Sequence, residues 1–267
     1  MSRHTSPGTA LITGGSSGLG AVYADRLARR GYDLVLVARH QRRLDSVAAR
    51  LRADTGRRVD VIAADLCEPA GLNDVAGVLQ QDARISLLVN NAGMGTHTTL
   101  LDSRVDQLAA MIQLNVGALT RLTCAAVPAM VARGRGIVVN LSSTSALAPE
   151  SLNGVYGGTK AFVLAFTRSL HHELAGSGLQ VQAVLPGAVA TDFWAGGGLP
   201  AEMLPRDILM PADVLVDAAL AGLDRRELVT VPSLHRVEAW EAYEQARQCL
   251  ARLLNRLSPP LRALGFS

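Results

Sequence analysis

The sequence predicts an α/β fold, a doubly wound and mostly parallel sheet with helices on both faces, continued by a helical C-terminal extension. Three observations carry this. Short apolar runs alternate with helical patterns along most of the chain, the runs are continuous rather than polar/apolar alternating, and a glycine-rich turn follows the first run directly. The runs fall at residues 10–13, 34–38, 59–64, 85–90, 137–141, 181–185 and 228–231. Rich in Val, Leu and Ile, they read as strands buried on both faces. Helical patterns lie between them at 21–30, 42–52, about 102–132 and 155–174, the last ending near Gly176 and Gly178. After residue 232, Trp240, Tyr243, Leu250, Leu253, Leu254 and Leu257 recur at helical spacing until Pro259-Pro260, giving an amphipathic helix that is expected to pack on the body. No linker or repeat interrupts the pattern, so a single domain over 1–267 is expected, with its core at about 8–232 and the extension at about 233–267.

Composition narrows the function. Half of the 267 residues are hydrophobic (49%), with 25 Gly and few aromatics, which suits a sizeable α/β core. A net charge of +3 with scattered basic residues gives little support to nucleic-acid binding. Cys67, Cys124 and Cys249 are far apart and form no metal-spaced or redox pair, so no metal site is expected. No signal peptide and no apolar run long enough to cross a bilayer is read, and a cytoplasmic location is expected.

The turn Thr13-Gly-Gly-Ser-Ser-Gly-Leu-Gly20 joins the first run to the first helix. Glycines there let the chain turn tightly and bring backbone N–H groups to a pyrophosphate at the helix N-terminus. The second run ends in Ala38-Arg39-His40, followed by Arg42 and Arg43, where a reader of adenosine ribose hydroxyls would be acidic. A guanidinium at Arg39 suits a 2′-phosphate, which favours NADP(H) while leaving NAD(H) open; Arg43 reads as a solvated helix start.

The chemistry centres on Tyr156-Gly-Gly-Thr-Lys160, with Ser143 thirteen residues before the tyrosine. Positions i and i+4 share one helix face, so phenol and ammonium can enter one site. A free phenol has a pKa of about 10 and is a poor acid or base at neutral pH; a cation beside it would lower that value. Ser142 and Ser145 rival Ser143 on residue type, and the interval to Tyr156 favours Ser143.

Taken together, Thr13-Gly-x-x-x-Gly-x-Gly20, Asn90-Asn-Ala-Gly93, Ser143, Tyr156, Lys160 and Pro186-Gly187 with Thr191 resemble the short-chain dehydrogenase/reductase family across roughly residues 8–232. The resemblance implies a seven-stranded Rossmann-like sheet and a homotetramer or homodimer built on the two long helices. It implies a catalytic set of Asn115, Ser143, Tyr156 and Lys160. The same likeness implies cofactor contacts at Gly14, Ser16, Ser17, Gly18, Leu19, Gly20, Arg39, Asp65, Leu66, Asn91, Ala92, Gly93, Tyr156, Lys160, Pro186, Gly187, Val189 and Thr191. In these roles Tyr156 exchanges the proton, Lys160 lowers its pKa and holds the nicotinamide ribose, Ser143 holds the substrate oxygen, and Asn115 places a water. Asn90 and Asn91 are expected to hold the central strands.

The substrate side is less defined. The family places a flap over residues 192–210, where Phe193, Trp194, Met203, Leu204, Ile208, Leu209 and Met210 offer an apolar lining and three glycines offer hinges. The expected substrate is a small molecule, a medium-sized, largely apolar ketone or aldehyde reduced with NADPH. Oxidation of a secondary or hydroxysteroid-like alcohol, reduction of a 3-ketoacyl group, and a non-catalytic NADP-binding regulator are the alternatives. No membrane role is expected.

Overall fold

Seven parallel strands form one sheet in the order β3-β2-β1-β4-β5-β6-β7: β1 (Thr9–Thr13), β2 (Asp33–Ala38), β3 (Val59–Ala63), β4 (Ile85–Asn90), β5 (Gly136–Leu141), β6 (Leu179–Val184) and β7 (Val229–Thr230). The computed structural model describes residues 7–191, 193 and 208–254. The chain divides into two units, residues 1–232 and 233–267. The order reverses between β1 and β4, and that reversal opens a crevice at the carboxyl ends of these strands.

Burial explains the continuous apolar runs. Ala10 and Ile12 of β1 face one helical layer, and Leu11 between them faces the other. On the first side lie α1 (Gly18–Arg29), α2 (Gln41–Thr55) and α7 (Ala212–Asp224), with Leu27, Leu44 and Leu220 packed on the sheet. On the second lie α3 (Pro69–Gln81), α5 (Leu119–Ala132) and α6 (Gly154–Glu173), with Leu72, Leu122 and Leu170 in the core. A strand buried on both faces has no polar side to show, hence the unbroken runs.

Two expectations need revision. The single helix read over 102–132 is α4 (Val105–Ile112), a π-helical turn (Gln113–Ala118) and α5, with Pro128 inside α5. The continuous stretch Val105–Ala132 is also long and apolar enough, by length and composition, to cross a membrane, contrary to the sequence reading. Its apolar character serves packing: Leu122, Ala125, Ala126 and Met130 lie against the sheet and α3. In the second unit, α8 (Val237–Leu254) sets Trp240 beside Tyr243 as a tilted pair, with ring centroids 5.2 Å apart, and pairs Arg247 with Glu244. No residue of α8 is buried, and Leu257 and Pro259-Pro260 lie outside the described residues.

Candidate active site

A cleft of about 700 Å³ runs across the carboxyl ends of the central strands. Its floor at one end is the turn from β1 into α1. Gly14 (φ 68°) and Gly18 (φ 52°) take left-handed backbone angles that glycine adopts without strain. A Cβ on Gly14 would stand 2.7 Å from the Asn91 amide nitrogen, so the loop can lie against β4 only because that position is bare. Ser16, Ser17, Gly18 and Leu19 line the cleft. Ser17 caps α1 without a side-chain hydrogen bond, and the first turn holds no acidic residue. Among the described residues nothing caps those amides, which leaves them to receive an anion. Gly20 does not reach the cleft. A Cβ there would fall 2.2 Å from the Gly14 carbonyl oxygen, so its role is to let helix and loop pack together.

The β2 end carries Arg39 and His40, and Arg43, exposed in the first turn of α2 as expected, also borders the cleft. Arg39 follows β2 and Arg43 lies in the first turn of α2, so the strand-to-helix junction brings both to this end of the cleft. Facing them are Ala64, Asp65, Leu66 and Cys67; the Asp65 carboxylate accepts from Cys67 N at 2.9 Å. Asn91, Ala92 and Gly93 continue the floor, braced by Thr13. The Thr13 hydroxyl oxygen accepts from both Asn91 N and Ala92 N at 3.0 Å, and Asn91 Nδ2 donates to Thr13 O at 2.8 Å. Asn90 bridges deeper, donating to Thr123 Oγ1 and Asn140 Oδ1. Pro186, Gly187, Val189 and Thr191 close the opposite wall, where Val189 pairs with Met210 in an isolated parallel bridge.

The catalytic candidates meet in the middle of the cleft. Asn153 caps α6, its Oδ1 accepting from Val155 N and Tyr156 N, and its Nδ2 donates to Thr98 O at 2.7 Å. That double attachment fixes where Tyr156 enters the site. Ser143 follows β5; its hydroxyl shares a hydrogen bond with Tyr156 and has Ser145 Oγ (3.2 Å) and Pro186 O (3.4 Å) as acceptors. Of the rival serines, Ser142 donates to Lys160 O at 2.7 Å, and Ser145 lines the cleft beside Ser143. Lys160 Nζ donates to Leu141 O at 2.9 Å and stands 5.8 Å from the Tyr156 ring centre. Asn115, in the π-helical turn, stands behind the cleft wall: its amide exchanges bonds with Met94 N and O and donates to Thr159. Bare Gly93 lies between Asn115 and Lys160; a Cβ there would be 3.2 Å from Asn115 Oδ1 and 3.5 Å from Lys160 Nζ.

Electrostatics correct one expectation. Burial pushes the Tyr156 phenol up to about 12, with the Ser143 bond opposing, and burial pulls the Lys160 ammonium down to about 8. Desolvation penalises the charged form of each, and this outweighs any pull of lysine on tyrosine. The phenol is therefore neutral at pH 7, the form that donates a proton.

Asn153, Gln107 on the cleft wall, and the bracing role of Thr13 lie beyond the sequence expectations. An Asn just before a helix is a readable capping signal for Asn153. Composition singles out the site too: of the 26 Lys and Arg residues, Lys160 is the one lysine. Of the anticipated apolar lining, Phe193 and Ile208 are on the cleft, whereas Trp194, Met203 and Leu204 lie outside the described residues.

The family model for short chain dehydrogenases matches residues 8–197. A short-chain dehydrogenase from Sphingobium yanoikuyae, solved in complex with NADPH, superposes with a TM-score of 0.92 at 48% identity, covering 96% of this chain and 99% of that one. The bulky-bulky ketone specific alcohol dehydrogenase from Comamonas testosteroni superposes with a TM-score of 0.89 at 43% identity, over 97% of this chain and 99% of that one. A very-long-chain 3-oxoacyl-CoA reductase of Anas platyrhynchos is 34% identical over 189 residues, 68% of this chain and 60% of that protein.

Proposed function

The chain belongs to the short chain dehydrogenase family of oxidoreductases, and from that premise we propose that it reduces a medium-sized, largely apolar ketone to the alcohol with NADPH. The observation that carries the proposal is Tyr156, buried, neutral at pH 7 and joined to Ser143 at the centre of a cleft whose far wall holds Arg39 and Arg43. When bound, the cofactor supplies the hydride. The bare turn at Gly14 and Gly18, the uncapped start of α1 and the two guanidiniums suit a dinucleotide carrying an extra phosphate.

This chain's residues supply the rest. Ser143 donates to the ketone oxygen and polarises it. Tyr156 gives its proton to that oxygen as negative charge develops, so the product leaves as a neutral alcohol. Lys160, charged below about pH 8, holds the cofactor ribose and restores the phenol's proton with Asn115 positioned behind it. Met94, Met111, Leu152 and Phe193 give the ketone apolar walls and exclude water. The likeness to an alcohol dehydrogenase specific for bulky-bulky ketones supports a bulky ketone.

The test follows NADPH absorbance over a ketone panel that includes diaryl, aryl alkyl and short dialkyl members, repeated with NADH. Turnover of a bulky ketone, with at least about tenfold preference for NADPH that Arg39→Ala abolishes, supports the reading. Turnover with NADH alone overturns the cofactor choice. A second reading, reduction of a 3-oxoacyl thioester, is favoured by the likeness to 3-oxoacyl-CoA reductases and is tested by adding such a thioester to the panel. The assembly proposed is a homo-oligomer on the long helices. Val105, Ile112 and Phe162, on α4 and α6, are exposed apolar residues that a second copy would cover, and light scattering reads the mass.

A further inference from the structure

Gly95 stands where the floor of the cleft turns from Met94 toward Thr96, directly beneath the ring of Phe193. A Cβ on Gly95 would lie 2.6 Å from Phe193 Cζ, 2.8 Å from Phe193 Cε1 and 3.3 Å from Tyr156 Cε2. The two rings therefore share the space that a side chain at residue 95 would fill. Their centroids are 6.0 Å apart with planes inclined at 53°, a tilted aromatic pair. Gly95 has no positive φ, so backbone strain does not require glycine here; the requirement is room. Across the cleft Tyr156 is held by Leu108, Met111, Met94 and Leu152, and these cannot yield easily because Met111 is fully buried. An atom added at residue 95 would meet the Phe193 ring tip first and hardest, with Tyr156 next.

We propose that Gly95 and Phe193 act as one selectivity device. Gly95, as a positioning residue, lets the Phe193 ring stand beside the reacting phenol, and that ring forms the flat wall against which an aryl substituent of the ketone packs. This rests on the ketone-reductase reading above. A flat ring presents a broad contact face to another flat group and a poor one to a short alkyl chain, so the device separates aryl ketones from small dialkyl ketones.

The experiment measures kcat/KM with NADPH for one aryl alkyl ketone and one short dialkyl ketone in wild type, Phe193→Ala, Gly95→Ala and the double variant, with NADPH affinity by fluorescence as the check on folding. Phe193→Ala is expected to lower the aryl ketone value by about tenfold, mainly through KM, and the dialkyl value by less than about threefold. Gly95→Ala is expected to shift the ratio in the same direction, and the double variant to be no worse than Phe193→Ala alone, because both act through one ring. Equal losses on the two ketones, or additive losses in the double variant, would overturn the proposal while leaving ketone reduction intact. A wild type that turns over neither ketone overturns both readings, whereas a shifted ratio with unchanged NADPH affinity supports both.

Discussion

Lys160 has an environment that no arginine could share. It donates to Leu141 O from a site with 5% exposure, and burial brings its pKa to about 8, far below anything a guanidinium reaches. A single amine in a chain that otherwise uses arginine fits a role needing a compact, titrating cation. Because burial depresses this pKa, the ammonium is present below about pH 8 and is lost as pH rises through it. The kcat/KM for reduction is therefore expected to hold at neutral pH and fall above about pH 8, read from a pH–rate profile. Lys160→Arg should lower kcat/KM by about a hundredfold and remove that fall. A small aldehyde with borohydride should alkylate Lys160 as the chain's one lysine, and NADPH should block it, which peptide mass mapping would show. The pair Tyr156 and Lys160 was legible as a spacing, since i and i+4 are local. The rise of the phenol was not, because its cause is burial by Met94, Met111 and Leu152, brought together from three separate segments.

At the scale of elements, α6 and α1 carry the argument. Asn153 satisfies the first amides of α6 and ties that helix to Thr98, 55 residues away in sequence. Asn153→Ala should cost about 1 kcal/mol of stability from the lost cap, seen as a Tm fall of about 2–4 °C. Activity should fall further than stability explains, because Tyr156 lies in the first turn, with its own amide on the Asn153 cap. On α1, Arg26 bridges Asp25 of its own helix and Asp217 of α7, at 2.8 and 2.7 Å. Burial alone would raise Asp25, but hydrogen bonds from Arg29 and Arg26 hold it below the usual carboxylate range; Arg26 likewise lowers Asp217. A lowered carboxylate stabilises the fold above its unfolded pKa of about 4 and loses that contribution as pH falls through the folded value. Arg26→Ala should therefore cost at most about 1 kcal/mol at pH 7, since Asp217 is half exposed, and the gap should close in melts below about pH 4. The glycine turn into α1 was readable because turn chemistry is local. The π-helical turn that carries Asn115 was not, because it keeps a helix-like apolar pattern, and the bonds that single it out run to Met94 and Thr159.

For the molecule as a whole, the sheet order places the site before any side chain is considered. The reversal between β1 and β4 opens the crevice, β2 delivers Arg39 to one end, and β5 and β6 deliver Ser143 and Pro186 to the other. Continuous apolar runs announced the buried parallel strands, and their order of pairing followed from the fold class rather than from any one run. What no local pattern could reveal was the contact of Phe193 with Gly95 and Tyr156, which are 98 and 37 residues from it. The central claim is that Tyr156 gives the proton in an NADPH-dependent ketone reduction. It is tested most directly by single-turnover loss of NADPH absorbance with a bulky ketone, comparing wild type with Tyr156→Phe. The account predicts that the variant binds NADPH as wild type does and reacts at least about a hundredfold more slowly. A variant that reacts at a comparable rate would contradict it.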